Sequence, residues 1–301
     1  MKILLTGCNG QVGWELGRAL LPLGEVIITN RSQVDLSDLD GLRRTVQKYS
    51  ADVIVNAAAY TAVDKAETEK DLAFLINAEA PGVLAEEAKR TGALLIHYST
   101  DYVFDGTKIS AYAEDDVPNP ANIYGQSKLA GEKAIQVTGA DYLILRTSWV
   151  YAARGHNFLK SILRLAAERE ELNIVADQIG SPTWARLIAE TTAHILRQSL
   201  LERYKGDFNS DLYNVTSAGE TSWHGFARMI VDYARQQGSQ ALKNRIINPI
   251  PTKDYPLPAK RPVNSRLSVG RLEQHFGLKM PAWDQALKLC MEDIAATVHR
   301  Q

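Results

Sequence analysis

A chain of 301 residues with 45% apolar, 8% aromatic and 23% charged residues has ordinary globular composition, which excludes a disordered, collagen-like or coiled-coil protein. Its 34 Lys and Arg nearly cancel 35 Asp and Glu, a net charge of −1, so no long-range field recruits nucleic acid or an anionic membrane. Cys8 and Cys290 form no disulfide framework or metal pattern, the N-terminal apolar run is too short for a signal peptide, and no stretch approaches the roughly 18 apolar residues of a membrane span; the expectation is a soluble, cytoplasmic protein.

In chain order, Ile3-Leu4-Leu5, Val26-Ile27-Ile28, Val53-Ile54-Val55, Leu94 to Tyr98 and Tyr142 to Leu145 predict buried strands, short and rich in branched residues. Gly13 to Leu23, Asp38 to Tyr49, Glu69 to Thr91 and Gln126 to Val137 predict helices between them. Strands alternating with helices imply an α/β fold, a doubly wound parallel sheet of the Rossmann kind. Tyr112 to Asn122, with Pro118 and Pro120, reads as a loop. Beyond Arg146 the rhythm changes. Helices are predicted over Asn157 to Arg169, Ala185 to Glu202, His224 to Gln237 and Trp283 to Val298, with a short run at Tyr213-Asn214-Val215 and a Pro-rich stretch from Pro249 to Pro262. Residues 1–150 are therefore expected to form one domain. Residues 151–301 form a smaller, mainly helical one, some segments of which return to the first.

The strongest local signal is Gly7-Cys8-Asn9-Gly10-Gln11-Val12-Gly13, between the first strand and the first helix. Glycines there allow a tight turn and close backbone approach to a pyrophosphate, and the helix start offers N–H groups to phosphate. The spacing is G-x-x-G-x-x-G, which in this context predicts dinucleotide binding. At the end of the second strand an NAD site usually carries an acid. Here Thr29-Asn30-Arg31-Ser32 stands instead, with no acid until Asp35-Leu36, and Arg31 suits the 2′-phosphate of NADP. NADPH is favoured on that ground, with NADH left open, the alternative being a solvated surface arginine.

A second signal is Tyr124-Gly125-Gln126-Ser127-Lys128, which puts Tyr124 and Lys128 one helical turn apart. A lysine cation beside the phenol favours phenolate, making the tyrosine a usable acid–base group. At the end of the fourth strand, Thr100 or Ser99 is placed to hydrogen-bond a substrate carbonyl beside Tyr124.

These residues resemble the extended short-chain dehydrogenase/reductase superfamily and, within it, the dTDP-4-dehydrorhamnose reductase family. The resemblance runs through Gly7 to Leu16, Asn56 to Glu67, His97 to Phe104, Tyr124 to Glu132, Arg146 to Tyr151, Gly180 to Thr183 and Arg261 to Leu267, spanning nearly the whole chain. It implies that Tyr124 donates a proton, Lys128 clamps the ribose and activates Tyr124, and Thr100 positions the sugar carbonyl. Asp101, Val63 and Trp149 would line the substrate site. Gly7, Gly10, Gln11, Val12 and Gly13 would hold the pyrophosphate, with Asn30, Arg31, Asp35, Leu36, Ala59, Tyr60, Thr61 and Tyr98 around the rest of the cofactor. The implied reaction is NAD(P)H-dependent reduction of the C4 ketone of dTDP-4-dehydro-L-rhamnose to dTDP-L-rhamnose, a precursor of cell-surface polysaccharide such as lipopolysaccharide. The second half would choose the sugar nucleotide.

Some members of the family dimerise through magnesium held by glutamates from three segments. Glu15 and Glu292 match two of these positions, but the third falls at Arg186, a cation where oxygen donors are needed, with Glu190 one turn on. We therefore expect no Mg2+ and not that dimer; a homodimer of another kind stays open, and a salt bridge from Arg186 to one of the glutamates is the plainer alternative. Two other functions share these motifs: another extended nucleotide-sugar reductase or epimerase, and a non-catalytic NADP-binding regulatory subunit.

Overall fold

The computed structural model describes residues 1–238 and 242–298. In it the short apolar runs of the first half become parallel strands. β1 (Lys2–Thr6) leads into α1 (Gln11–Ala19), and β2 (Glu25–Ile28) into α2 (Leu39–Tyr49). β3 (Val53–Asn56) is followed by α3 (Val63–Ala66), α4 (Lys70–Phe74) and α5 (Ala80–Thr91), then β4 (Leu94–Thr100), α6 (Ile123–Gln136) and β5 (Tyr142–Thr147). The expected helix from Glu69 to Thr91 is interrupted by a π-turn at Leu75–Glu79, where Asn77 is turned inward. The next helix starts three residues earlier than its apolar pattern suggests, because the Asn122 side chain accepts the Gly125 N–H and caps it there.

The second half contributes β6 (Val150–Tyr151), α7 (Phe158–Glu168), β7 (Glu171–Val175), β8 (Ile179–Gly180), β9 (Thr183–Trp184), α8 (Ala185–Lys205) and β10 (Asp211–Asn214). After these come β11 (Thr221–Ser222), α9 (Trp223–Gln236), β12 (Ile246–Ile250), α10 (Gly270–Phe276) and α11 (Trp283–Val298). The Pro-rich stretch thus opens as a strand: β12 runs parallel to β7, with Pro249 opposite Ile174. An edge position tolerates the missing N–H of a proline.

The main sheet has the order β10-β5-β4-β3-β1-β2, every neighbour parallel. Alternate residues along each strand face opposite ways. Ile3, Leu5, Val53, Val55, Leu94 and Ile96 pack with Leu16 of α1 and Ile188 and Ile195 of α8. Leu4, Ile54, Leu95 and Ile144 pack with Leu42 and Val46 of α2 and Leu84 and Ala88 of α5. Both faces are covered, which is why the strands read as continuous apolar runs. β10 and α8 lie beyond residue 150 yet complete this sheet and cover it. A separate apolar cluster joins α7, α9 and α11 through Leu159, Ile162, Phe226, Ile230 and Leu287. Among the described residues no helix is long and apolar enough to cross a membrane.

Candidate active site

The chain leaves β1 for β2 on one side and returns to β3 on the other, so a crevice forms at the carboxyl ends of β1 and β3, where open α/β sheets take ligands. Gly7 sits there with φ of +78°, a conformation side chains avoid, and a Cβ on Gly13 would lie 2.1 Å from the Gly7 carbonyl oxygen. Loop and helix therefore meet backbone to backbone. Gly10 begins α1 without a side-chain cap, and the first turn holds no acid, so the helix N-terminus is left for an anion. These features fit a dinucleotide pyrophosphate.

A cavity of about 550 Å³ extends from this loop and is lined by Gly7, Gly10, Gln11 and Val12. Asn30, Arg31, Asp35 and Leu36 form one end, Ala59, Thr61 and Tyr98 a wall, and Tyr124 with Lys128 the far end. Gly13 packs beneath the loop instead of lining the cavity. Tyr60 is held by its backbone, its N–H on Asn77 Oδ1 at 2.9 Å, while its hydroxyl turns to Glu69 at 2.8 Å. The sequence reading missed Val34, Ile76, Thr147, Val150 and His156, which also line the cavity. Thr147 and Val150 lay inside a recognised motif; Ile76 is presented only by the π-turn, which no apolar periodicity announces. His156 arrives on a loop from the second half, tied down by Asn157, whose Nδ2 donates to Gln11 Oε1 at 2.8 Å.

At the Arg31 end of the cavity, Arg31 Nε lies 3.3 Å from Asp35 Oδ2, with Arg31 well exposed. The Ser37 N–H and hydroxyl on the other oxygen of Asp35, with Arg31 adding to them, hold that carboxyl below its usual range. The hydrogen bond to Asp35 comes from Nε, and Arg31 also lines the cavity.

On α6, Lys128 is buried and Tyr124 is half-buried, its ring partly facing the cavity. Burial pushes the Tyr124 phenol up to about 12; its hydrogen bond with Thr100 pulls the other way, and the Asp101 charge adds to the rise. The sequence led us to expect a lowered phenol. Desolvation outweighs the Thr100 hydrogen bond, and Lys128 is itself pushed down, to about 8, by burial, with only partial opposition from Glu132. Lys128 Nζ donates to the Tyr98 carbonyl at 2.7 Å and sits 3.1 Å from His97 Nε2. Thr100 ends β4, where its hydroxyl accepts the Tyr102 N–H at 3.2 Å and donates to Asp101 Oδ1 at 3.1 Å. Asp101 is buried and raised to about 6 by desolvation, against the pull of Ser265 and Thr100.

A second cavity, about 620 Å³, is lined by Tyr102, Phe158, Trp223, Tyr255, Arg169 and Arg261 among others. Trp149, in a left-handed conformation at φ +47°, stacks on Trp223 with ring centroids 3.6 Å apart, and a Cβ on Gly180 would strike its ring. Trp149 thus backs the wall of this cavity through Trp223. Val63 opens α3, whose Asp64 binds Arg261 at 2.7 Å. Arg186 lies between Glu15 (3.4 Å) and Asp293 (2.8 Å), and among the described residues no group of three or more His, Cys, Asp or Glu could hold a metal ion. Glu292 and Glu190 are exposed.

A parallel sheet of this order, a backbone cradle at its switch point and a Tyr–Lys pair one turn apart on the cavity wall define a dinucleotide-dependent oxidoreductase of the short-chain dehydrogenase/reductase class. The family model described as RmlD substrate binding domain matches residues 1–296, and the chain belongs to that family. It is 55% identical to the dTDP-4-dehydrorhamnose reductase of Burkholderia thailandensis over 295 residues, covering 98% of this chain and 99% of the relative. Identity to the Escherichia coli protein of that name is 46%, over 99% of both chains. The crystal structure of dTDP-4-dehydrorhamnose reductase from Bacillus anthracis in complex with NADP superposes with a TM-score of 0.86 at 35% identity, covering 97% of this chain and 99% of that one. A UDP-glucose 4-epimerase from Thermus thermophilus, 20% identical with a TM-score of 0.79 over 98% of this chain and 99% of the other, shares the fold.

Proposed function

We propose that the protein reduces the C4 ketone of dTDP-4-dehydro-L-rhamnose to dTDP-L-rhamnose with NADPH. The observation that carries this reading is end-to-end identity of 46–55% with relatives of that name, in a chain whose Tyr124 and Lys128 line one cavity, with Thr100 hydrogen-bonded to Tyr124. NADPH would lie along Gly7 to Val12 with its 2′-phosphate toward Arg31, and it supplies a hydride to the sugar C4. Thr100 and Tyr124 hold the ketone oxygen through their hydroxyls. As the hydride's electron pair becomes the new C–H bond, the π pair of the C=O bond would move onto oxygen, and Tyr124 would pass its proton to that oxygen and later recover one from solvent. A phenol pushed up to about 12 is protonated throughout the neutral range, which suits a donor. Lys128 orients the ribose and sets the charge beside Tyr124. The second cavity would take the nucleotide end of the substrate, its aromatic rings facing a base and Arg169 or Arg261 a phosphate.

The test is loss of NADPH absorbance with enzymatically generated dTDP-4-dehydro-L-rhamnose, repeated with NADH, and identification of the product as dTDP-L-rhamnose. No turnover despite NADPH binding would move the assignment to another sugar nucleotide or to a non-catalytic subunit.

A further inference from the structure

The loop between β6 and α7, Ala152-Ala153-Arg154-Gly155-His156-Asn157, reaches from the second half of the chain to the start of α1. Two of its side chains fasten it there. Asn157 Nδ2 donates to Gln11 Oε1 at 2.8 Å, and Gln11 Nε2 donates to the Val150 carbonyl at 3.5 Å. The Arg154 guanidinium lies over the Trp14 ring, one turn further along α1, with its Cζ 3.2 Å from the ring centroid. The loop is also closed on itself. Asn157 Nδ2 reaches the Ala152 and Arg154 carbonyls at 2.9 and 3.2 Å, and Asn157 Oδ1 accepts the Lys160 N–H at 3.1 Å.

His156 stands between the two residues that touch Gln11. A Cβ on Gly155, which turns at φ +74°, would lie 3.7 Å from Gln11 Cγ, and Asn157 is the residue bonded to the Gln11 amide. The imidazole itself is exposed, lines the 550 Å³ cavity together with Gly7, Asn9 and Gly10, and has no hydrogen-bond or ion-pair partner among the described residues. Both ends of the Gln11 amide are taken up by the loop, so Gln11 offers an anion its backbone N–H, which the first turn of a helix leaves unpaired. No acid stands in the loop or in the first turn of α1.

We infer that His156 is a cofactor-binding residue whose imidazole N–H bonds the diphosphate of the dinucleotide, and that Gln11 is the positioning residue that holds the loop in place for it. The inference rests on the reading that NADPH lies along Gly7 to Val12. It adds one side chain, delivered by the second half of the chain, to a cradle otherwise made of backbone. An imidazole keeps an N–H in either protonation state, and a hydrogen bond to a charged phosphate is stronger than one between neutral groups. The diphosphate is common to NADPH and NADH, so His156 serves both, whereas Arg31 is assigned to the 2′-phosphate of NADPH alone.

The experiment is calorimetric titration of NADPH, NADH, ADP-ribose and adenosine 2′-monophosphate into the parent, His156→Ala, His156→Gln, Gln11→Met and the Gln11→Met/His156→Ala double variant, with thermal melts to confirm folding. His156→Ala is expected to raise the dissociation constants of NADPH, NADH and ADP-ribose by about ten-fold each, and to leave adenosine 2′-monophosphate, which has no diphosphate, unchanged. His156→Gln should stay within about three-fold of the parent, because a side-chain amide also donates. Gln11→Met should weaken the same three ligands, and His156→Ala should cost less in that background than in the parent. Unchanged affinity in His156→Ala, a loss confined to NADPH, or an equal loss for adenosine 2′-monophosphate overturns the contact; losses that simply add overturn the role of Gln11. A parent that binds none of the diphosphate ligands overturns the cofactor seat and this contact with it, whereas a parent that binds them as tightly as His156→Ala does overturns the histidine alone.

Discussion

The two cavities are made in different ways. The phosphate end of the first is built from backbone: a glycine loop, a bare helix start and the ends of parallel strands. The second is built from side chains, Phe158, Trp223 and Tyr255 with Arg169 and Arg261, carried by elements far apart in sequence. A backbone site recognises what all dinucleotides share, while a side-chain site can be changed one residue at a time without disturbing the sheet. The proposed chemistry falls at the seam, where Tyr124 of the first cavity packs edge-on against Tyr102 of the second.

Replacing the proton donor separates binding from chemistry most sharply. Tyr124→Phe is expected to keep NADPH affinity near that of the parent and to lower kcat by about 10²–10⁴-fold; undiminished kcat would remove Tyr124 from its role. At the seam, Asp101 has a folded pKa of about 6, above its unfolded value. Its raised pKa favours the fold at low pH, and that contribution is lost as pH rises through about 6, amounting to about 2–3 kcal/mol. Asp101→Asn should therefore flatten the fall in stability between roughly pH 4 and 6, measured by urea unfolding; identical slopes would show that Asp101 is not strained by burial. Arg31→Ala should raise the NADPH dissociation constant by about ten-fold or somewhat more, the worth of a charge-assisted hydrogen bond, and leave NADH unchanged. Equal loss for both cofactors would deny that Arg31 reads the 2′-phosphate. The smallest effect should come from the other cavity: Trp223→Leu is expected to raise KM for the sugar nucleotide by about three- to ten-fold through the lost ring contact, with NADPH affinity unmoved. A change in NADPH affinity would mean that the cavities are not separable.

The local pattern of the chain determined the five strands of the first half, the helices between them and the glycine loop, since each is specified by neighbours in sequence: branched apolar runs, a turn only glycine can make, a helix start left uncapped. Tyr124 and Lys128 were equally accessible, because helical spacing alone puts them a turn apart. Tertiary structure decided everything that depends on burial or on meeting from afar. β10 and α8 could not be placed on the first sheet from their own residues, because a short apolar strand carries no mark of its partner. A salt bridge from Arg186 to Glu15 or Glu292 could be offered from the sequence, but only the fold chooses Glu15 and adds Asp293. Lys128 reads as an ordinary lysine until enclosure lowers it to about 8. A phenol expected to be lowered by a nearby charge is instead raised, because the same enclosure that brings the pair together removes the water that would stabilise either ion.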